Sequence, residues 1–393
     1  DDKWEGLKVF DGTFFEIGSE GEQLRIPIRS SSEWVVTGNW GKWCEIRQES
    51  GEKVYTLVLD VGVNIARQER GMSLELSNRE ETLEIELRQA AATEEYEYVL
   101  PVIFHVLYRV PEDDVPVGYL SSCLERVNEL YRDGPVDMNL KFVLATHDPN
   151  GQLLEEPGVR REFREGLPMD MFDFVGNKFG DCAWIWDPKE YINVVIFDSK
   201  SILSGCAHFP YLPECVVLPG VLFSDWYADH LPDAHVHCVA WNRSHMFSRY
   251  ELLGVIFDYD VFTLAHEMGH YLGLLHPFVD GKGNFGDYCD DTPDYCVNGY
   301  ETFLSELDET FPYSDDNYRK VIQRVALNGR VFIADNIMDY EFGYLDRFTL
   351  EQRKRVRTVL ENAWLLPGPK IEVEPRARSG KKAVKPSVPK PVS

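Results

Sequence analysis

The sequence predicts an α/β domain preceded by a small all-β sandwich of the immunoglobulin-like kind. Two observations predict this order. Residues 1–90 contain short runs in which apolar and polar side chains alternate, the pattern of half-buried strands. From residue 99 onward, a continuous apolar strand, an amphipathic helix and further strands lead to a helix with two histidines four residues apart.

The first region, 1–90, is predicted to hold at least five strands. Clusters of Gly, Ser and Asn separate them, and this spacing favours a small antiparallel sandwich. The predicted strands are 24–28, 34–37, 54–63, 72–76 and 83–87. Residues 91–98 are largely polar and are predicted to be a linker.

The second region, 99–365, begins with the apolar run of a buried strand at 99–110. Apolar residues then recur with helical spacing over 120–132. Two further strands are predicted at 140–145 and 191–197. This strand–helix–strand–strand order places a sheet before the histidine helix, with one helix packed on the sheet.

The 393 residues carry a formal net charge of −26. Such a surface repels nucleic-acid phosphates and anionic lipid headgroups, so we expect no nucleic-acid partner. Residues 366–393 differ from the rest because they are rich in Pro and Lys and lack apolar periodicity, which predicts a disordered tail. No apolar run is long enough to predict a transmembrane segment.

The chain has eight cysteines and no Cys-x-x-Cys pair. The even number fits disulfides in an oxidising compartment, with Cys289–Cys296 and Cys206–Cys215 as candidate pairs. Reduced, buried thiols are the alternative. The chain begins at Asp1, as a processed mature protein or a recombinant product would. We expect an extracellular, cell-surface or periplasmic location, and a lipid anchor upstream of this chain is a further alternative.

Three histidines have the spacing of a catalytic zinc site. His266 and His270 lie one turn apart on one helix face, so both imidazoles can reach one ion. A third ligand needs another direction of approach. Gly273 can adopt positive φ and end the helix, which lets His276 turn back toward the metal. Three neutral imidazoles leave the fourth position of zinc for water.

Glu267 follows the first histidine directly, so it is predicted to lie beside the metal rather than on it. A carboxylate in this place can take a proton from water and later donate it to a leaving amine. The sequence therefore predicts that Glu267 is the catalytic base. The alternative for the whole motif is a helix with surface histidines and a C-terminal glycine.

The motif His-Glu-x-x-His-x-x-Gly-x-x-His resembles that of the metzincin metallopeptidases. Among them, the chain resembles the pappalysin family in its bacterial, cytophagalysin-like branch. The resemblance implies a zinc endopeptidase domain that contains a twisted, mostly parallel sheet, a backing helix, an active-site helix and a lower subdomain with a Met-turn. The stretches that carry it are 101–106, 139–151, 192–195, 205–210, 286–293 and 348–360.

Residues 336–340 read Asn-Ile-Met-Asp-Tyr and resemble the metzincin Met-turn. This resemblance implies that Met338 forms an apolar floor beneath the metal. It also implies that the Tyr340 hydroxyl points to the site and stabilises the tetrahedral oxyanion. The alternatives are an ordinary core methionine and a buried packing tyrosine.

Residues 1–90 resemble the BACON domains, small β-sandwich modules of Bacteroidetes surface proteins. This resemblance rests on dispersed positions around Trp34, Trp43, 57–64 and 86–89. It implies a glycan or mucin partner, and a spacer role is the alternative. Trp34 and Trp43 could stack on sugar or belong to the core.

A cluster of aspartates follows the third histidine. Asp287 and Asp291 are candidate ligands of a structural Ca²⁺, since carboxylates suit this hard cation and relatives bind calcium nearby. A hydrated acidic loop is the alternative. His235 and His237 alternate as strand residues do and could hold a second metal, although no acidic partner lies at a fixed spacing.

These patterns favour a zinc-dependent endopeptidase that acts on a protein or peptide substrate. Two other functions stay open. One is a glycan-binding surface protein whose metal domain is inactive, and the other is a zinc amidase that acts on cell-wall peptides. Proteolysis tests, glycan binding and muropeptide assays separate the three.

Overall fold

The computed structural model describes residues 6–38, 40–50, 54–176, 184–228, 230, 237–247, 249–252, 255–280, 286–306, 314–340 and 342–371. Two compact units divide the chain. The first comprises Asp1–Tyr96 with Pro369–Arg376, and the second comprises Glu97–Gly368 with Ala377–Ser393. From residue 372 onward, the predicted disordered tail lies outside the described residues.

The described residues of the first unit form eight strands in two sheets. They are β1 (Leu7–Val9), β2 (Phe14–Ile17), β3 (Glu22–Ser30), β4 (Val35–Gly38), β5 (Cys44–Glu49), β6 (Tyr55–Val61), β7 (Arg70–Ser77) and β8 (Thr82–Gln89). One sheet has the order β1-β3-β6-β5 and is antiparallel throughout. The other has the order β2-β8-β7-β4, in which β2 runs parallel to β8 and the other pairs are antiparallel.

Alternating side chains explain how the two sheets share one core. Along β7, Leu74 and Leu76 are buried while the residues between and beside them are exposed or half-buried. Since successive side chains point to opposite faces, one face of each strand supplies the core. Leu74 and Leu76 lie in one cluster with Ile26 and Leu59 of the other sheet. The unit is therefore β-rich and layered.

Both tryptophans considered as sugar platforms pack within the first unit. Trp34 is 8% exposed and its ring edge meets Tyr55, with ring centroids 5.9 Å apart. Trp43 packs against the core cluster, and the Arg70 guanidinium lies 4.5 Å from its ring centroid. Trp34 follows the core alternative, whereas Trp43 is half-buried against the core cluster.

The first half of the second unit is dominated by one mixed sheet. The elements of this half are β9 (Tyr98–Tyr108), α1 (Val117–Arg132), β10 (Leu140–Leu144), β11 (Val159–Phe163), α2 (Met171–Val175), β12 (Ile192–Phe197), β13 (Gly205–Ala207), β14 (Tyr211–Leu212), β15 (Leu222–Phe223) and β16 (Val239–Asn242). The strands β14 and β15 pair with each other, apart from the mixed sheet. The sheet order is β10-β9-β12-β16-β13, and β11 also pairs with β9. All pairs are parallel except β13 with β16.

Burial explains why these strands read as continuous apolar runs. Every residue of β12 is buried, as expected of a central parallel strand that is covered on both faces. On α1, the buried residues are Leu120, Cys123, Leu124, Val127 and Tyr131, which recur every three or four positions. The Tyr131 hydroxyl donates to the Ala265 carbonyl at 2.9 Å and so ties α1 to the histidine helix.

The second half of this unit consists of short elements around the histidine helix. They are β17 (Arg249–Leu252), β18 (Val255–Asp258), α3 (Tyr259–Tyr271), β19 (Phe278–Val279), β20 (Tyr295–Cys296), α4 (Val297–Ser305), α5 (Asp315–Ile322), β21 (Gln323–Val325), β22 (Val331–Ile333) and α6 (Leu350–Asn362). A capping box of Thr349 and Gln352 starts α6.

The seven described cysteines are free thiols, so the candidate pairs Cys289–Cys296 and Cys206–Cys215 are not bonded. Five of the seven are buried and follow the alternative of small apolar core residues. None of the described helices combines the length and apolar character that crossing a membrane requires.

His105 is a core histidine at the middle of β9. It is fully buried, its Nε2 lies 2.9 Å from Asn193 Oδ1, and its ring edge meets Trp184. Burial lowers the pKa of His105 from 6.5 to about 4. The folded protein therefore keeps this imidazole neutral at pH values where an unfolded chain protonates it.

This difference predicts acid sensitivity. Between pH 6.5 and 4, the unfolded state binds the extra proton, so His105 costs the fold up to about 3 kcal/mol as the pH falls through that window. We expect His105→Gln to remove this pH dependence. Its unfolding free energy should then fall by about 3 kcal/mol less than that of the wild type between pH 6.5 and 4. Urea unfolding at several pH values measures it, and parallel curves for both proteins contradict it.

Candidate metal centre

The histidine helix α3 presents two imidazoles on one buried face. His266 and His270 stand one turn apart, and their Nε2 atoms lie 3.1 Å from each other. His270 is fully buried and His266 is 8% exposed. The helix thus directs two nitrogen donors to one point.

A glycine turn brings the third histidine to the same point. Gly273 has φ +87°, a left-handed conformation that ends α3. The Leu274 N–H then donates back to the Gly269 carbonyl at 2.9 Å, which closes the helix terminus. As a result, His276 Nε2 lies 3.1 Å from His266 Nε2 and 2.9 Å from His270 Nε2.

The opposite ring nitrogens fix how two of these imidazoles are oriented. His266 Nδ1 donates to the Ile337 carbonyl at 2.9 Å, and His270 Nδ1 donates to the Leu274 carbonyl at 2.8 Å. Because Nδ1 carries the proton, Nε2 offers a lone pair. Burial lowers the pKa of His266 to about 4 and that of His270 well below its usual range, so both rings stay neutral.

This donor set fits a zinc ion. Neutral nitrogen lone pairs that face one another at 2.9–3.1 Å repel unless they share a cation. Tetrahedral zinc with nitrogen ligands at about 2.0–2.1 Å separates those ligands by about 3.3–3.4 Å, which is close to the spacing found here. Histidine is also a preferred zinc ligand, so the three imidazoles are suited to hold the metal.

Glu267 follows His266 directly on α3 and is buried. It is 4% exposed, and burial raises the pKa of its carboxyl well above the ordinary value. Its Oε2 is buried with no hydrogen-bond partner among the described residues. Gly205 on β13 makes room for it, because a methyl group there would lie 2.7 Å from Glu267 Cγ and 3.0 Å from Oε1.

Met338 lies beneath α3. It is fully buried, and a methyl group on Gly269 would overlap the Met338 sulfur. The Met338 N–H donates to Asn336 Oδ1 at 2.9 Å. Because Gly269 lies directly before His270, the thioether supports the histidine helix at the turn that carries the ligands.

Tyr340 is half-buried beside the third histidine. Its ring centroid lies 4.5 Å from that of His276 and 4.6 Å from that of Phe278. Phe278 also stacks on His276, at 4.7 Å between centroids and 9° between the ring planes, so the three rings contact one another. The aromatic rings thus hold the His276 imidazole in place.

The two candidate calcium ligands both accept hydrogen bonds from protein groups. The Asp287 carboxylate accepts from the Cys289 N–H at 3.0 Å and the Thr292 hydroxyl at 2.8 Å. Asp291 accepts from the Glu351 N–H at 3.0 Å, at the start of α6. Both carboxylates thus hold their loop in place, and calcium binding stays a prediction.

Two other groups lie apart from the three-histidine site. Cys289, Asp291 and Glu351 each bring one donor atom within 4.8 Å of the others, and burial raises the pKa of the Cys289 thiol. His237 packs its ring on Tyr271, with ring centroids 5.0 Å apart. His235 lies outside the described residues.

Residues 181–361 match the Peptidase_M43 family, described as pregnancy-associated plasma protein-A. The matched segment contains the three histidines, Glu267, Met338 and Tyr340. A protein named extracellular metalloprotease, from Verticillium alfalfae, is 27% identical over 241 residues, which are 56% of this chain and 70% of that protein. The cytophagalysin-like branch and the BACON resemblance of residues 1–90 stay predictions.

Solved structures give only weak likenesses. A xyloglucanase from Bacteroides ovatus is 14% identical, with a TM-score of 0.21, and the match covers 49% of this chain and 37% of that chain. A protein from Bacteroides thetaiotaomicron is 12% identical, with a TM-score of 0.19, and the match covers 24% of this chain and 96% of that one.

The geometry predicts one tightly bound zinc ion per chain. We expect His270→Ala to lose it, because two imidazoles cannot replace the third donor. His147→Ala is the matched control, since that histidine is exposed and distant in sequence from the motif. Elemental analysis after dialysis measures the stoichiometry. Equal zinc content in the His270 variant and the wild type contradicts the assignment.

Proposed function

We propose that this chain is a zinc-dependent endopeptidase that hydrolyses peptide bonds of proteins. The observation that carries the proposal is the convergence of three imidazole Nε2 atoms within 3.1 Å. The buried residue Glu267 follows the first of these histidines directly in the sequence. Support also comes from the segment 181–361, which matches a peptidase family, and from a relative named extracellular metalloprotease.

His266, His270 and His276 would hold the zinc. A zinc ion held there would supply Lewis acidity, which would lower the pKa of water and polarise the carbonyl of a peptide bond. The chain itself must direct the three Nε2 atoms at one point. For His266 and His270, the carbonyls that accept from Nδ1 help to do so, because they fix which ring nitrogen carries the proton.

Glu267 is the proposed general base. Its Oε2 takes a proton from the attacking water and passes it to the nitrogen of the leaving amine. A nearby dication favours the ionised carboxylate, while burial raises the carboxyl pKa and so makes the carboxylate a stronger base. Since no other described group bonds to Oε2, that oxygen is available for water.

Tyr340 is the proposed oxyanion donor. Its ring packs on His276, one of the three histidines of the site. A hydroxyl that donates to the developing oxyanion stabilises the transition state more than the substrate. Met338 has a structural part, since it supports α3 from below.

We assign the catalytic domain to residues 99–365. In this assignment, 91–98 form the linker, 1–90 a separate BACON-like β module, and 366–393 the tail. The division of the chain near Tyr96 and Glu97 supports it. We propose that the protein acts outside the cell, as the name of the Verticillium alfalfae relative suggests. A lipid anchor and a glycan partner stay predictions.

Replacing the proposed base separates catalysis from metal binding. We expect Glu267→Gln to lower the cleavage rate of a denatured protein by at least about 100-fold while zinc stays bound, because the amide cannot accept the proton. Glu129→Gln, an exposed site on α1, is the control. Full activity in the Glu267 variant removes this residue from the mechanism. Cleavage of muropeptides alone favours the amidase.

The space at Gly205 can be tested in the same assay. We expect Gly205→Ala to lower kcat by about 10- to 100-fold, because the added methyl group displaces the Glu267 side chain. Gly118→Ala is the matched control, since a methyl group there meets open space. Unchanged kcat in the Gly205 variant, with zinc retained, argues against a fixed position for Glu267.

A further inference from the structure

Arg324 is a buried cation that the proposed mechanism does not use. It lies on β21, is 2% exposed and forms no ion pair shorter than 4 Å with a described residue. Removing a guanidinium from water is costly unless its N–H groups are bonded. The places where those N–H groups bond therefore indicate what Arg324 does.

The Arg324 guanidinium connects its own strand to the segment after the Met-turn. Its Nη1 donates to the carbonyls of Val321 at 3.1 Å and Gln323 at 3.2 Å. Its Nη2 donates to the carbonyls of Tyr340 at 3.2 Å and Phe342 at 2.9 Å. One planar side chain thus fixes the carbonyl of Tyr340 relative to β21.

The N–H of Tyr340 is held as well. It donates to Asp339 Oδ1 at 2.7 Å, and the Tyr295 hydroxyl donates to the same oxygen. Asp339 is 4% exposed and Tyr295 is 1% exposed. Two buried side chains therefore restrain the Tyr340 backbone, Asp339 at the N–H and Arg324 at the carbonyl.

Aromatic rings keep the guanidinium in this position. The Arg324 Cζ lies 3.4 Å from the ring centroid of Tyr300 and 5.7 Å from that of Tyr295. Cation–π contacts of this kind gain strength when they are shielded from water. A lysine keeps the charge but lacks the planar fork that reaches several carbonyls at once.

We propose that Arg324 is a positioning residue that sets the place of the Tyr340 side chain next to His276. It acts through the Tyr340 backbone and touches neither substrate nor metal. The proposal rests on the proposed function, in which Tyr340 stabilises the oxyanion. It goes beyond that function because it assigns a part in the reaction to a residue on a separate hairpin, β21–β22.

The test is a double-mutant cycle. We expect Arg324→Lys to lower kcat by about 10- to 100-fold with little change in KM, since a displaced Tyr340 loses transition-state contacts. In a Tyr340→Phe background, the same change should alter kcat by less than about 2-fold. Arg357→Lys, another buried arginine, controls for the loss of a buried guanidinium and should leave kcat unchanged.

Two further measurements keep the proposal testable. If the Arg324 variant fails to fold, Tyr295→Phe takes its place, because it removes only one hydroxyl. We expect it to lower kcat by a smaller factor, and again only while Tyr340 is present. A crystal structure of Arg324→Lys should show the Tyr340 ring moved from its place 4.5 Å from the His276 ring. The position of the Tyr340 ring in that structure tests the positioning role without any activity measurement. If the wild type cleaves no protein, that separate result refutes the proposed function.

If Arg324→Lys lowers kcat by the same factor in the wild-type and Tyr340→Phe backgrounds, Arg324 stabilises the folded protein in general. That result would overturn the proposal. An unmoved Tyr340 ring in the variant structure would overturn it too.

Discussion

The structure depends on bringing three imidazole Nε2 atoms within 3.1 Å of one another. No single straight helix can do this, so α3 must stop and reverse at Gly273. The reversal is held from outside the site, since Arg355 of α6 donates to the carbonyls of Gly273 at 3.1 Å and Pro219 at 2.9 Å. A helix that is distant in sequence thus takes part in ligand geometry.

Burial gives this site its chemistry. The same exclusion of water that keeps His266 and His270 neutral also raises the pKa of the Glu267 carboxyl. A cation bound by the imidazoles would offset the cost of a buried carboxylate, so metal and base stabilise each other. Packing completes the arrangement, because Gly269 and Gly205 lack side chains where Met338 and Glu267 need the space.

The sequence was informative where chemistry follows from spacing along one element. The interval from His266 to His270 requires a shared helix face, and the apolar run of β9 requires a buried strand. It was not informative where function depends on contacts between distant segments. Nothing in the order of residues marks Arg324 as a partner of Tyr340, or Gly205 as the space beside Glu267. The short strands β1, β2 and β5 were also missed, because pairing rather than alternation defines them.

The most direct test of the central claim is X-ray absorption at the zinc edge of the purified protein. We expect a first shell of three nitrogen atoms at about 2.0–2.1 Å and one oxygen atom. The spectrum should also show the multiple scattering that imidazole rings produce. A shell that contains sulfur, or one with fewer than three imidazoles, would contradict the account.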